Sequence, residues 1–185
     1  MRRYDLRWLV VTLANLVLWW LVCLANHYLA NVDLPLIGPS SFYLYLGGLF
    51  VVYGALRLDP RHGLAATILT ALLIDSVEPV PFGTSLFLFA LVHVTVLYGR
   101  HRFPREGAVF AVVVALLANL FLVIALSFLL VGANPRPGHA WLRIFFDLLC
   151  SQAVIALIAP WFIALQDQAM HFMEIHPETG RQVHR

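Results

Sequence analysis

Lysine is absent from this chain of 185 residues, and charged side chains of any kind are scarce. Only 12% of the residues are charged and 61% are hydrophobic, whereas soluble domains carry about 25% charged residues. This deficit excludes an ordinary soluble domain. The net charge of +2 comes from basic residues spread over several loops rather than one patch, so no nucleic-acid partner is predicted.

Cysteine is nearly absent as well, and the signatures of common enzymes are missing. Cys23 and Cys150 both lie inside apolar runs, which argues against a disulfide framework and against a thiolate metal site. The chain has no Gly-x-Ser-x-Gly, no His-Glu-x-x-His, no phosphate loop and no dinucleotide fingerprint. We therefore expect no enzyme activity, no cofactor and no metal. An intramembrane enzyme is a further alternative, and it rests only on the acid–base chemistry that Asp75 and Glu78 could perform.

What the chain has in abundance is long apolar runs. A membrane helix needs about 20 apolar residues to cross about 30 Å of hydrocarbon. Six apolar runs are interpreted as crossings, at residues 7–29, 42–58, 63–74, 84–98, 107–131 and 141–165. The predicted fold class is therefore all-α, a polytopic integral membrane protein with six transmembrane helices. Residues 1–165 form its single transmembrane domain, and residues 166–185 form a polar cytoplasmic tail.

The arginines predict the orientation of these helices. When the runs are numbered as successive crossings, only Arg136 and Arg143 of the 12 arginines fall on one side. Positively charged residues near helix ends stay in the cytoplasm. The side with the other arginines is thus cytoplasmic, and both chain ends lie there.

The third run is the anomaly, because it is apolar for only twelve residues, or about 18 Å of helix. The nine residues that follow, 75–83, contain Asp75, Glu78, Pro81 and Gly83. The third helix is therefore expected to be short or broken. Either residues 75–83 are an irregular stretch at membrane depth, shielded by protein, or they form a surface hairpin with both carboxylates solvated. In the buried alternative, backbones approach closely at Gly83, so a large side chain such as leucine would have no space there.

A second polar stripe lies on the sixth run. Arg143, Asp147 and Ser151 are spaced four apart and share one helical face. Arg143 is expected either to pair with Asp147 near the outer interface or to reach Asp75 or Glu78 across a helix interface. On the fifth run, Ala111, Ala115 and Ala118 form a small-residue face. Such a face suits close contact within the chain or between the copies of a homo-oligomer.

The run from Gly63 to Asp75, followed by Pro81-Phe82-Gly83 and another apolar span, resembles the MreD family of rod shape-determining membrane proteins. In that family a small-residue helix ends in an aspartate, and Pro-apolar-Gly opens the next helix. The resemblance implies a non-catalytic scaffold of the bacterial inner membrane, embedded among membrane lipids. The implied partners are MreC and the complex of the wall synthase RodA with its transpeptidase. The resemblance further implies that the scaffold helps to join this complex to the cytoplasmic protein MreB.

The architecture is also similar to that of the substrate-binding subunits of energy-coupling-factor transporters. That similarity implies the alternative function, capture of a vitamin-like small molecule. A solute binder would enclose a polar pocket of about 300–1,000 Å³. Its expected walls come from polar and aromatic residues on different helices, namely Trp19, Trp20, His93, Asn119 and Gln152.

The orientation is tested by cysteine labelling. We expect Gly138→Cys to react from outside intact cells with an impermeant thiol reagent, because it follows the fifth crossing, and Arg102→Cys to stay unlabelled. Both variants also carry Cys23 and Cys150, so labelling is compared with that of the unchanged protein. Labelling of Arg102→Cys from outside would contradict the predicted topology.

Overall fold

The computed structural model describes residues 6–30, 42–78, 80–100, 108–131 and 137–175. Over these ranges the chain is all-helical, without strands, which confirms the predicted all-α class. Its helices are α1 (Arg7–Leu29), α2 (Gly47–Arg57), α3 (Pro60–Asp75), α4 (Thr84–Gly99), α5 (Ala108–Val131) and α6 (Pro137–Ile175). Three stretches are long and apolar enough to cross a membrane: Arg7–Leu29, Val109–Val131 and Ala140–Phe172.

Helix α2 is the centre of the bundle and packs against all five other helices. Every residue from Gly47 to Ala55 is buried. The approach is close enough that a Cβ atom at Gly48 would meet the backbone of Ala115 and Asn119 on α5. A Cβ atom at Gly63 on α3 would likewise meet the Gly54 carbonyl oxygen. Glycine at these positions lets α3 and α5 pack directly against the α2 backbone.

The helices alternate in direction, so the bundle has two distinct ends. At one, the Arg100 side chain at the end of α4 donates to carbonyl oxygens of Ala55 and Leu58 at the end of α2. We call this the Arg100 end. At the opposite end, called the Asp75 end, Asp75 closes α3 beside the start of α4. Each end thus gathers side chains from several helices.

Three helices, α2, α3 and α6, differ from the predicted ones by several residues at one end or both. The third helix is short, with 16 residues, but continuous, because it begins earlier, at Pro60, where the Asp59 side chain caps it. The interruption lies instead in the second predicted span: residues 42–46 are not helical, and α2 has only 11 residues. Helix α6 also continues to Ile175, through the predicted domain boundary at residue 165.

The bundle exposes apolar side chains and buries polar ones. Val109 on α5 and Trp161 on α6 are 77% and 79% exposed, while Asn15, Thr70, His93 and Asn119 are fully buried. A soluble protein shows the reverse arrangement, because water favours polar groups at the surface. The distribution is compatible with a membrane protein whose interior is held by hydrogen bonds between helices.

Candidate functional site

The non-helical residues 42–46 lead into α2 at the Asp75 end, and polar side chains of other helices bind their backbone. Asn26, near the end of α1, makes two hydrogen bonds to Leu44: its Oδ1 accepts from the backbone N–H at 2.7 Å, and its Nδ2 donates to the carbonyl at 3.0 Å. One carboxamide therefore replaces both hydrogen bonds that Leu44 would make in a helix.

The polar stripe of α6 binds the same segment. Asp147 Oδ1 accepts a hydrogen bond from the Tyr43 N–H at 3.2 Å, and Ser151 Oγ accepts one from the Tyr45 N–H at 3.0 Å. On α5, Asn119 Oδ1 accepts from the Gly48 N–H at 3.2 Å, in the first turn of α2. Together with Asn26, these three side chains form a set that we call the backbone-binding shell.

Asp75 has a comparable role at the start of α4. It is 4% exposed, and its two carboxylate oxygens accept hydrogen bonds from the backbone N–H groups of Gly83, Ser85 and Leu86 at 3.0, 2.9 and 3.0 Å. The first N–H groups of a helix have no partners within it and favour a negative charge. Asp75 therefore joins the end of α3 to the start of α4 and is not solvated.

Gly83 is the residue before α4, with φ of 93° and ψ of −6°. Only glycine adopts this left-handed backbone readily. The close approach of backbones expected at Gly83 is not found, because a Cβ atom there would meet nothing within 4 Å among the described residues. Gly83 is required for its backbone conformation. Pro81 is exposed, and its carbonyl oxygen accepts hydrogen bonds from the Thr84 N–H at 3.1 Å and Oγ1 at 2.7 Å.

Glu78 lies in the turn after α3 and is half-buried. Its Oε1 accepts a long hydrogen bond, 3.4 Å, from the Tyr43 hydroxyl. Burial raises the pKa of the Glu78 carboxyl, and the hydrogen bond from Tyr43 acts in the opposite direction. Tyr43 thus contacts Glu78 through its hydroxyl and Asp147 through its backbone N–H.

Arg143 forms the predicted pair within α6. Its Nε lies 3.8 Å from Asp147 Oδ2, with the arginine side chain 49% exposed. Asp75 binds the start of α4 instead of serving as a partner across to α6. The structure therefore joins Tyr43 to Glu78 and Asp147, and Arg143 to Asp147. Asp75, Pro81 and Gly83 form the adjoining connection between α3 and α4.

The five residues expected to line a solute pocket are not brought together. Trp20 is 60% exposed on the outside of α1. His93 Nδ1 lies 2.9 Å from Thr67 Oγ1, and Gln152 Nε2 donates to the Leu116 carbonyl at 3.0 Å. Asn119 belongs to the backbone-binding shell, and Trp19 lines a cavity of about 20 Å³. That volume is near the lower limit for a single water molecule.

Sequence reasoning missed Thr70 and Gln166, which bind Asn15 in the interior of the bundle. Asn15 Nδ2 donates to the Phe50 carbonyl at 2.9 Å and to Thr70 Oγ1 at 3.3 Å, and Gln166 Nε2 donates to Asn15 Oδ1 at 3.2 Å. The sequence predicts Gln166 to be the first residue of the polar tail, yet it is 1% exposed. The apolar run upstream of Gln166 gives no signal that its amide reaches α1.

The Asp75 connection yields a stability prediction. We expect Asp75→Asn to lower the thermal unfolding temperature, because an amide has one acceptor oxygen where three N–H groups need partners, and Asp75→Leu to lower it further. The cost of leaving buried N–H groups unpaired is about 1–3 kcal/mol each. Glu78→Gln, in the same turn, serves as the control with a smaller effect. Equal unfolding temperatures for Asp75→Leu and Glu78→Gln in detergent would contradict the capping role.

Comparison with known proteins assigns no family to this arrangement. No family model matches the chain, and neither a curated protein nor a solved structure matches it. Among the described residues, no group of three or more His, Cys, Asp or Glu side chains is arranged to hold a metal ion.

Proposed function

We propose that this chain is a non-catalytic scaffold of the bacterial cell-elongation machinery, as its resemblance to MreD implies. It is a multi-pass protein of the bacterial cytoplasmic membrane with six crossings and both ends in the cytoplasm. It links an MreC-like protein, and the complex of RodA with its transpeptidase, to the cytoskeleton. Peptidoglycan synthesis and rod shape depend on that link.

One observation carries the scaffold proposal: the interior polar side chains bind the chain's own backbone. Asn26, Asn119, Asp147 and Ser151 bind the chain around residues 43–48, and Asp75 binds the start of α4. Polar side chains that bind the backbone in this way hold the bundle in one conformation. The Asp75-to-Gly83 connection, which carries the resemblance, is one of these structural contacts rather than a set of reactive groups.

The proposed orientation agrees with where the arginines lie in the bundle. Arg57 closes α2 and Arg61 opens α3, both at the Arg100 end. The positive-inside rule assigns that end to the cytoplasm. The Asp75 end, where Tyr43 contacts Glu78 and Asp147 and where Arg143 pairs with Asp147, then faces the periplasm. It supplies half-buried polar groups that an MreC-like partner can contact.

Solute capture, the alternative function, receives less support from the geometry. A vitamin-binding subunit needs several polar groups that converge in one enclosed cavity. His93, Asn119 and Gln152 instead bind separate places on α3, α2 and α5. The cavity at Trp19 is too small for a vitamin.

The proposal is tested by purifying the tagged full chain from membranes of the organism that carries it. We expect an MreC-like protein and the RodA complex to co-purify, and depletion of the chain to turn rods into round cells. The control is an unrelated tagged multi-pass protein in the same detergent. Co-purification of a transporter ATPase would contradict the scaffold, as would saturable thermal stabilisation by a vitamin.

A further inference from the structure

An apolar groove lies between α4 and α5 at the Arg100 end. Its volume is about 590 Å³, and its walls include Val92 and Val96 from α4 and Val114 and Leu117 from α5. Leu117 is 60% exposed, so the groove opens to the surroundings of the bundle. In the membrane placement proposed above, those surroundings are lipid.

The positive charge of Arg100 marks one end of this groove. Arg100 lines it, and the Arg100 Nη1 donates to the carbonyl oxygens of Ala55 and Leu58 at 3.2 and 3.0 Å. These bonds fix the guanidinium at the mouth of the groove. The Arg100 Nε is buried and has no hydrogen-bond partner among the described residues. A guanidinium held in this way is suited to a phosphate oxygen.

The length of the groove favours a lipid acyl chain over a transmembrane helix as its occupant. Its α5 wall runs from Phe110 to Phe121, which is about 17 Å of helix. This is close to half of the roughly 30 Å hydrocarbon core, that is, the depth of one leaflet. A transmembrane helix of another protein would need a groove along the full depth, whereas a lipid acyl chain fills one leaflet.

We propose that this groove binds an anionic phospholipid of the cytoplasmic leaflet, with an acyl chain between α4 and α5 and the headgroup phosphate at Arg100. Basic sites between membrane helices on the cytoplasmic side are known to take such headgroups. The inference rests on the proposed orientation, but it does not depend on the MreD-like role, because the labelling experiment and the partner purification test those separately.

Native mass spectrometry tests the lipid site. The full chain is released from nanodiscs that hold equal amounts of phosphatidylglycerol and phosphatidylcholine with identical acyl chains. One arginine is expected to favour the anionic lipid about fivefold. Arg100→Gln should abolish that preference, and Arg100→Lys should keep part of it. Equal retention of the two lipids by the unchanged protein would overturn the proposal.

Two tryptophan variants on α5 separate the groove from general lipid contact. Val114→Trp fills the groove, whereas Val109→Trp adds the same side chain at a 77% exposed position outside it. We expect lipid retention to fall only in Val114→Trp, with both variants folded by their thermal unfolding. An equal loss in both variants would indicate unspecific lipid contact and overturn the proposal.

Photo-crosslinking identifies the occupant even where a variant fails to fold. A benzophenone amino acid at position 113, on the groove wall, is activated in native membranes. An adduct with the mass of a phospholipid supports the proposal. A crosslink to a second copy of the chain, or to another protein, would show that a helix occupies the groove and would overturn it.

Discussion

The fold depends on a backbone segment that lacks helical hydrogen bonds inside a bundle with an apolar exterior. Residues 42–46 lead into α2, the helix that packs against every other helix. An N–H or carbonyl group that is shielded from water and lacks a hydrogen-bond partner costs about 1–3 kcal/mol. The segment is therefore stable only because Asn26, Asp147, Ser151 and Asn119 bind it and the first turn of α2 from three helices. These contacts fix α1, α5 and α6 around α2.

Side chains that bind exposed backbone groups also explain the structure of both ends of the bundle and of the groove. Asp75 satisfies the first N–H groups of α4, and Arg100 satisfies carbonyl groups at the end of α2. At the start of α2, the start of α4 and the end of α2, a charged or polar side chain from another helix or its cap thus binds the exposed backbone groups. Because Arg100 is held by α2, its guanidinium stays at the mouth of the groove between α4 and α5, where a lipid phosphate can reach it.

The sequence predicts the helices that are bounded by charges and helix breakers. Helix α1 has the predicted bounds, and α4 and α5 differ from them by one residue. The late start of α2 was not predictable, because Phe42 to Leu46 is as apolar as a helix and its partners are distant in sequence. The four-residue spacing of Asp147 and Ser151 did reveal their common face. It could not reveal that this face binds backbone.

The most direct measurement is hydrogen–deuterium exchange of the full chain in nanodiscs, followed at the amides of Leu44, Tyr45 and Gly48. The account predicts slow exchange for all three, comparable with the interior of α2, although residues 44 and 45 lie outside any helix. Asn26→Leu should speed exchange at Leu44 selectively. Fast exchange of all three amides in the unchanged protein, at the rate of an open loop, would contradict the claim that side chains of neighbouring helices hold this segment.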